Sequence, residues 1–233
     1  MQTYDARATL AKRRADVATM FDGVASRYDV MNDILSGGMQ RRWRTETVRA
    51  ITPRPGQRIL DLAAGTGTSS RPLADAGAQV VPADLSMRML IEGRLRQPDL
   101  LFIQADALQL PFPDGAFDAV TISYGLRNVE NTAAALQEMH RVTRPGGLLV
   151  VAEFSTPVEP AMRAIYQRWI IRALPTLANR FSSNPRAYDY LAESILSWPA
   201  QPALAELISQ SGWHQVEWKN LTGGIVALHR AVA

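Results

Sequence analysis

Residues 58–84 read RILDLAAGTGTSSRPLADAGAQVVPAD, and the fold follows from them. Two short apolar runs, RILDLA (58–63) and QVVPAD (79–84), bracket a turn of small residues and a helix-like stretch, SSRPLADAG (69–77). Short runs rich in β-branched residues and bounded by glycine read as buried strands, so this stretch is a βαβ unit. The pattern then repeats. LLFIQA (100–105), FDAVTIS (117–123) and LLVVAEF (148–154) read as three more strands, with SMRMLIEGRLR (86–96) and NTAAALQEMHRVT (131–143) as intervening helices. In the second of these, Ala134, Leu136, Met139 and Val142 recur near one face. Strands alternating with crossover helices require a parallel sheet covered on both faces, which makes the class α/β and doubly wound.

The last part of the chain departs from that alternation. WHQVEWKNLT (213–222) and GIVALHRAV (224–232) read as two strands joined at Gly223 and Gly224, a link so tight that only antiparallel pairing is open to them. A mostly parallel seven-stranded sheet with an antiparallel last strand resembles that of Rossmann-like methyltransferases more than that of a dinucleotide-binding domain.

Composition bounds the function. A chain of 233 residues, 47% of them hydrophobic, can bury one full core, and residues 1–233 are read as a single domain. No apolar run approaches the roughly 18–20 residues of a membrane span. The opening MQTYDARATLAKRRAD lacks the apolar block of a signal peptide, which predicts a cytoplasmic protein. With no cysteine, thiolate zinc sites and cysteine nucleophiles drop out, and no metal site is expected. The net charge of +3 divides unevenly: +5 over residues 1–58, −5 over 59–160 and +3 over 161–233. Basic flanks of this size fit simple solubility, and they also leave an anionic membrane surface open.

The glycine turn is the first candidate site. Asp61 ends the first strand, and Gly65, Thr66 and Gly67 carry the chain into a helix. Small residues there let the backbone approach a ligand, beside a helix N-terminus. Any tight strand-to-helix turn favours glycine too, so the neighbours decide. The dinucleotide fingerprint asks for a small residue where this chain has Ser70. Asp84, at the end of the second strand, suits a pair of ribose hydroxyls; its other reading is a helix N-cap, a role that Ser86 fills equally well. Asp106 and Ala107, after the third strand, suit an adenine edge, or Asp106 caps its own backbone. Ser123 ends the fourth strand. Acidic or polar groups at adjacent carboxyl ends of an open α/β sheet converge on one crevice, which predicts an adenosyl ligand.

Four stretches in order carry a resemblance: FDGVASRYDVMNDILSGGMQRRWR (21–44), DLAAGTG (61–67), SYGLRNV (123–129) and RVTRPGGLLVVAEFSTP (141–157). With SSNPRAYDYLAESILSWP (182–199) and NLTGGIVALHR (220–230), they resemble the ubiquinone/menaquinone-biosynthesis C-methyltransferases, from about Val17 to His229. That family commonly has phenylalanine where this chain has Tyr124. The resemblance implies a class I methyltransferase fold, S-adenosylmethionine as cofactor, and contacts to it at Thr66, Asp84, Asp106, Ala107 and Ser123. It implies methylation of a ring carbon on a reduced polyprenyl quinone precursor. A ubiquinone-type benzoquinol or a small aromatic metabolite is the alternative. Peripheral membrane association and a homodimer stay open.

Such a transfer needs a ring carbon made nucleophilic by an ionised hydroxyl, an in-line methyl donor and a partner for the oxyanion. Arg127 is the expected oxyanion partner, or else one half of a surface ion pair. Arg127 would act directly or through an ordered water, with Asn128 orienting it and Tyr28 as a second polar contact. His140, His214 and His229 are scattered, and His140, inside a helix, reads as structural. No nucleic-acid partner is expected, because the loop after the fourth strand lacks an Asn/Asp-Pro-Pro-aromatic clamp. Between strands five and six, residues 155–212 are too many for one crossover and read as a helical insertion, forming a substrate cap with residues 1–50. Within it Met162, Ile165, Tyr166, Trp169, Ile170 and Ala173 recur at helical spacing, with Arg163, Arg168 and Arg172 largely elsewhere; core packing explains the pattern equally well.

Overall fold

A computed structural model describes residues 38–173 and 185–233. Seven strands form one sheet: β1 (Arg58–Leu62), β2 (Gln79–Asp84), β3 (Ile103–Gln104), β4 (Phe117–Ser123), β5 (Thr143–Phe154), β6 (His214–Leu221) and β7 (Val226–Val232). Their order across the sheet is β3-β2-β1-β4-β5-β7-β6. The first five pair in parallel, and β7 runs antiparallel to both β5 and β6. This is the architecture of class I methyltransferases expected from the sequence. The helices are α1 (Met39–Ile51), α2 (Ser70–Asp75), α3 (Met87–Arg96), α4 (Thr132–Val142), α5 (Pro160–Arg168), α6 (Pro185–Ser197) and α7 (Gln201–Gln210).

Alternate strand residues divide between the two faces, as the pleat requires. On one face Leu60, Leu62, Val120, Ile122, Leu149 and Val151 meet α4 and α7 through Leu136, Met139, Leu204 and Ile208. On the other, Ile59, Val80, Ala119 and Val150 meet Ile51 of α1 and Leu73 of α2. Buried Trp213 closes the first face, its indole N–H donating to Leu136 O at 3.0 Å. His140 stacks edge-on against that ring at 5.1 Å, a packing role consistent with the structural reading.

Three boundaries differ from expectation. The third strand shrinks from 100–105 to Ile103–Gln104, because it lies at the sheet's edge and Phe102 turns in to pack with Leu90 and Leu100. The turn before β5 stays in the sheet as a bulge: Thr143 pairs with Phe117 and Leu148 with Ala119, so residues 144–147 loop out opposite Asp118. Gly146, at φ 75°, takes the left-handed conformation that the Pro-Gly-Gly turn called for. The link between β6 and β7 is a 3₁₀ turn over Thr222–Gly224 rather than a two-residue hairpin.

The long interval after β5 divides in two. Helix α7 packs into the main core, against α4 and β6. Helix α5, its π-helical continuation Trp169–Ala173, and α6 form a separate cluster in which Ile170, Ala192 and Ile195 are buried with Phe154, Tyr166 and Trp169 around them. Ile165 and Ile171 of this cluster point outward, 69% and 59% exposed. No helix among the described residues is long and apolar enough to cross a membrane.

Candidate active site

One cavity opens at the carboxyl ends of β1, β2 and β4, with the loop after β3 and one face of α1 as its other walls. Of the expected cofactor residues it is lined by Gly65, Thr66, Asp84, Asp106, Ala107 and Ser123.

Asp84 ties two loops together. Its Oδ2 accepts from Gly65 N at 2.8 Å and its Oδ1 from Ser86 N, also at 2.8 Å. The cap of α3 is Ser86, whose hydroxyl accepts from Met89 N, so Asp84 is spared that role. Asp106 does cap its own backbone, accepting from Leu108 N at 2.9 Å, and this holds its carboxylate at the cavity wall. The backbone cap and a place on the cavity wall are therefore compatible in Asp106.

Two expected residues stand back from the cavity. Asp61 is fully buried beneath the glycine turn, where its Oδ2 accepts from the hydroxyls of Ser69 and Ser70 at 2.7 and 2.6 Å. Its Oδ1 has no partner among the described residues. Burial pushes this carboxyl up to about 6 against the pull of the two serines; the charge of Asp84 adds to the rise and that of Arg44 opposes it. Ser70, which read only as a departure from the dinucleotide fingerprint, is thus the anchor of Asp61. Gly67 serves packing instead: a Cβ there would lie 2.7 Å from the Phe102 ring and 2.9 Å from Gln97.

The loops after β1 and β4 cross in close contact. A Cβ on Gly125 would come within 2.4 Å of Ala63 Cβ. Ala63 and Tyr124 hold positive φ angles of 54° and 58°, which non-glycine residues rarely adopt and which cluster at functional sites.

Arg127 corrects an expectation. It does not line the cavity. Its guanidinium is buried, with Nη1 2.8 Å from Glu153 Oε1 and also donating to Tyr124 O, and the charge lies over the Phe154 ring at 5.2 Å. The pair is a buried one rather than the surface ion pair that the sequence left open. It holds the loop after β4 against β5 and reaches the cap through Ser194. Asn128 does line the cavity; its Nδ2 donates to Tyr124 O at 3.4 Å and its Oδ1 has no partner among the described residues. Tyr28 lies outside the described residues. His229 is buried away from the cavity, its Nε2 3.0 Å from Gln201 O, and burial lowers its pKa.

Residues that sequence reasoning missed come chiefly from α1. Gln40, Arg44, Thr47 and Val48 face the cavity, a spacing legible as one helical face once the helix is known to cover the site. Met89 and Leu85 add apolar wall beside Asp84. Among the described residues no cluster of metal-ligating side chains occurs.

Residues 8–233 match the model of the ubiE/COQ5 methyltransferase family. A demethylmenaquinone methyltransferase of Paenarthrobacter aurescens (strain TC1) is 58% identical over 225 residues, covering 97% of this chain and 89% of the relative. One of Renibacterium salmoninarum is 59% identical over 225 residues, covering 97% and 95%. Among solved structures, the methyltransferase held in complex with the Haloferax volcanii Trm112 activator superposes with a TM-score of 0.67 at 19% identity, covering 91% of this chain and 97% of that one. Haemonchus contortus phosphoethanolamine N-methyltransferase 2, in complex with S-adenosyl-L-methionine, has a TM-score of 0.62 at 15% identity and covers 82% and 52%. These two likenesses concern the fold.

Proposed function

The chain belongs to the ubiE/COQ5 methyltransferase family, and from that premise we propose that it methylates a ring carbon of demethylmenaquinol, giving menaquinol, with S-adenosylmethionine as the methyl donor. The observation that carries the reading is the near-60% identity to demethylmenaquinone methyltransferases, which runs over 97% of the chain and so includes the cap as well as the cofactor half.

The cavity suits the donor. Asp84 is fixed by two backbone amides where ribose hydroxyls would meet it, and Asp106 with Ala107 offers an acceptor and an amide side by side. The crossing at Gly125 and Ala63 brings backbone close to the cavity, and Met89 supplies an apolar wall. When bound, S-adenosylmethionine supplies an electrophilic methyl group on a sulfonium. The chain's part is alignment and water exclusion: Ser123 and Tyr124 form the wall after β4, and Asn128 is the polar group there that could orient a ring hydroxyl. Arg127 acts one step back, holding the Tyr124 carbonyl and hence the loop, as a positioning residue.

The apolar substrate extends the proposal to peripheral contact with an anionic membrane. Val158, Met162, Ile165, Ile171 and Leu196 expose apolar surface on and beside the cap helices, with exposed Arg163 and Arg168 between them. Methyl transfer from labelled S-adenosylmethionine to reduced demethylmenaquinone, run beside a reduced polyprenyl-methoxybenzoquinol, tests the substrate. We expect turnover of the naphthoquinol. Turnover of the benzoquinol alone would move the reading to ubiquinone-type rings, and no turnover of either would end the quinol assignment.

A further inference from the structure

Four charged side chains line the cavity among the described residues, and three of them, Asp84, Asp106 and Glu130, are acids. Arg44 is the fourth. It is half-buried on α1, and its guanidinium makes no hydrogen bond or ion pair among the described residues. Its nearest acidic neighbour along the helix, Glu46, is committed elsewhere, to Arg49 at 2.6 Å and Lys219 at 2.7 Å. An arginine held part-buried at a cavity wall without a counter-ion is a site prepared for an anion.

The position selects the anion. Asp106 and Ala107 follow β3, two strands from β1, so an adenosyl group on Asp84 and Asp106 directs its other end towards β1 and β4. Arg44 stands at that other end. Its charge acts on Asp61 beneath the glycine turn, and it shares the wall with Thr68 and Ser69. We infer that Arg44 anchors the α-carboxylate at the methionine end of the cofactor, through a charge-assisted and preferably bidentate pair. The inference rests on the reading of the cavity as an S-adenosylmethionine site.

Calorimetric titration of two ligands tests it: S-adenosylhomocysteine, which carries the carboxylate, and 5′-methylthioadenosine, which keeps the adenosyl group and lacks the amino-acid end. Arg44→Ala should weaken S-adenosylhomocysteine about 10- to 100-fold while leaving methylthioadenosine within about twofold of the parent. Arg44→Lys should recover part of the loss. Equal weakening of both ligands would overturn the inference in favour of a structural role for α1. Unchanged S-adenosylhomocysteine affinity would overturn it as well, placing the guanidinium with the quinol instead. If the parent protein binds neither ligand, the cofactor reading itself falls, a result distinct from either outcome in the variant.

Discussion

The cofactor half and the helical cluster after β5, proposed as the substrate cap, solve opposite problems. Around β1 and β2 the polar groups are held by backbone only a few residues away along the chain or on the adjoining strand: Asp84 takes the amides of Gly65 and Ser86, and Asp106 that of Leu108. The helical cluster is joined through Ser194 to a buried ion pair brought together from β5 and the loop after β4, and it leaves large apolar side chains facing out. One half is organised by local geometry and includes a carboxylate oxygen buried without a partner among the described residues. The other is organised by long-range packing and holds its cost at the surface. The difference suggests where each half tolerates change: the first resists small substitutions, and the second accepts them everywhere except at its polar anchor.

Breaking that anchor should have the largest effect. Arg127→Ala leaves Glu153 charged, buried and unpaired, which should lower stability to urea by about 3–5 kcal/mol. Replacing the pair together, with Arg127→Met and Glu153→Leu, should restore much of the loss, since an apolar pair leaves no orphaned charge. If Arg127→Ala is stable and instead loses affinity for S-adenosylhomocysteine, the arginine belongs to the cofactor half and the division drawn here is wrong.

Asp61→Asn probes the first half. The carboxyl titrates at about 6 in the folded chain against a usual value of 3.8, so between those values the folded form keeps a proton that the unfolded form has lost. Its contribution is therefore most favourable below about pH 4, declines as pH rises to 6, and stays lower beyond, by about 3 kcal/mol. The asparagine variant should unfold at higher denaturant than the parent at pH 8 and converge with it near pH 4. A gap that does not vary with pH would show that the charge is not what burial penalises. The smallest effect on stability belongs to the cap surface: Ile165→Ser should change it by no more than about 0.5 kcal/mol. Flotation with anionic vesicles at low salt should nevertheless fall, and an unchanged flotation profile would remove the membrane contact.

What was legible in the sequence follows the same line. Strand β4 appears where it was expected, 117–123, because a strand buried on both faces is predominantly apolar and glycines, Gly115 and Gly125, flank it. That Asp84, Asp106, Ala107 and Ser123 share one cavity was legible because their place depends on the carboxyl ends of strands, and strand ends can be read. Asp61 and Gly67 went astray because sequence cannot tell a side chain facing a cavity from one facing the layer beneath it. Gly67 is small for Phe102, a residue thirty-five positions away. The buried pairing of Arg127 was not legible, because its partner, Glu153, lies inside an apolar strand, where nothing in the pattern signals a buried acid. Arg44 was hidden among the arginines of MQRRWR, since only the docked helix reveals which of them faces inward.

The strand order at the far side of the sheet also sets an order of events. Strand β6 touches the sheet only through β7, which runs between it and β5. Residues 214–221 therefore have no template until residues 226–232 are in place, and folding must seat the later strand first. In the native protein the order reverses: β6, exposed along most of its length, can peel away while β7 keeps its full ladder to β5. Amide exchange along this edge would then follow local opening of one strand, whose tie to the cavity wall is the ion pair from Lys219 to Glu46 of α1.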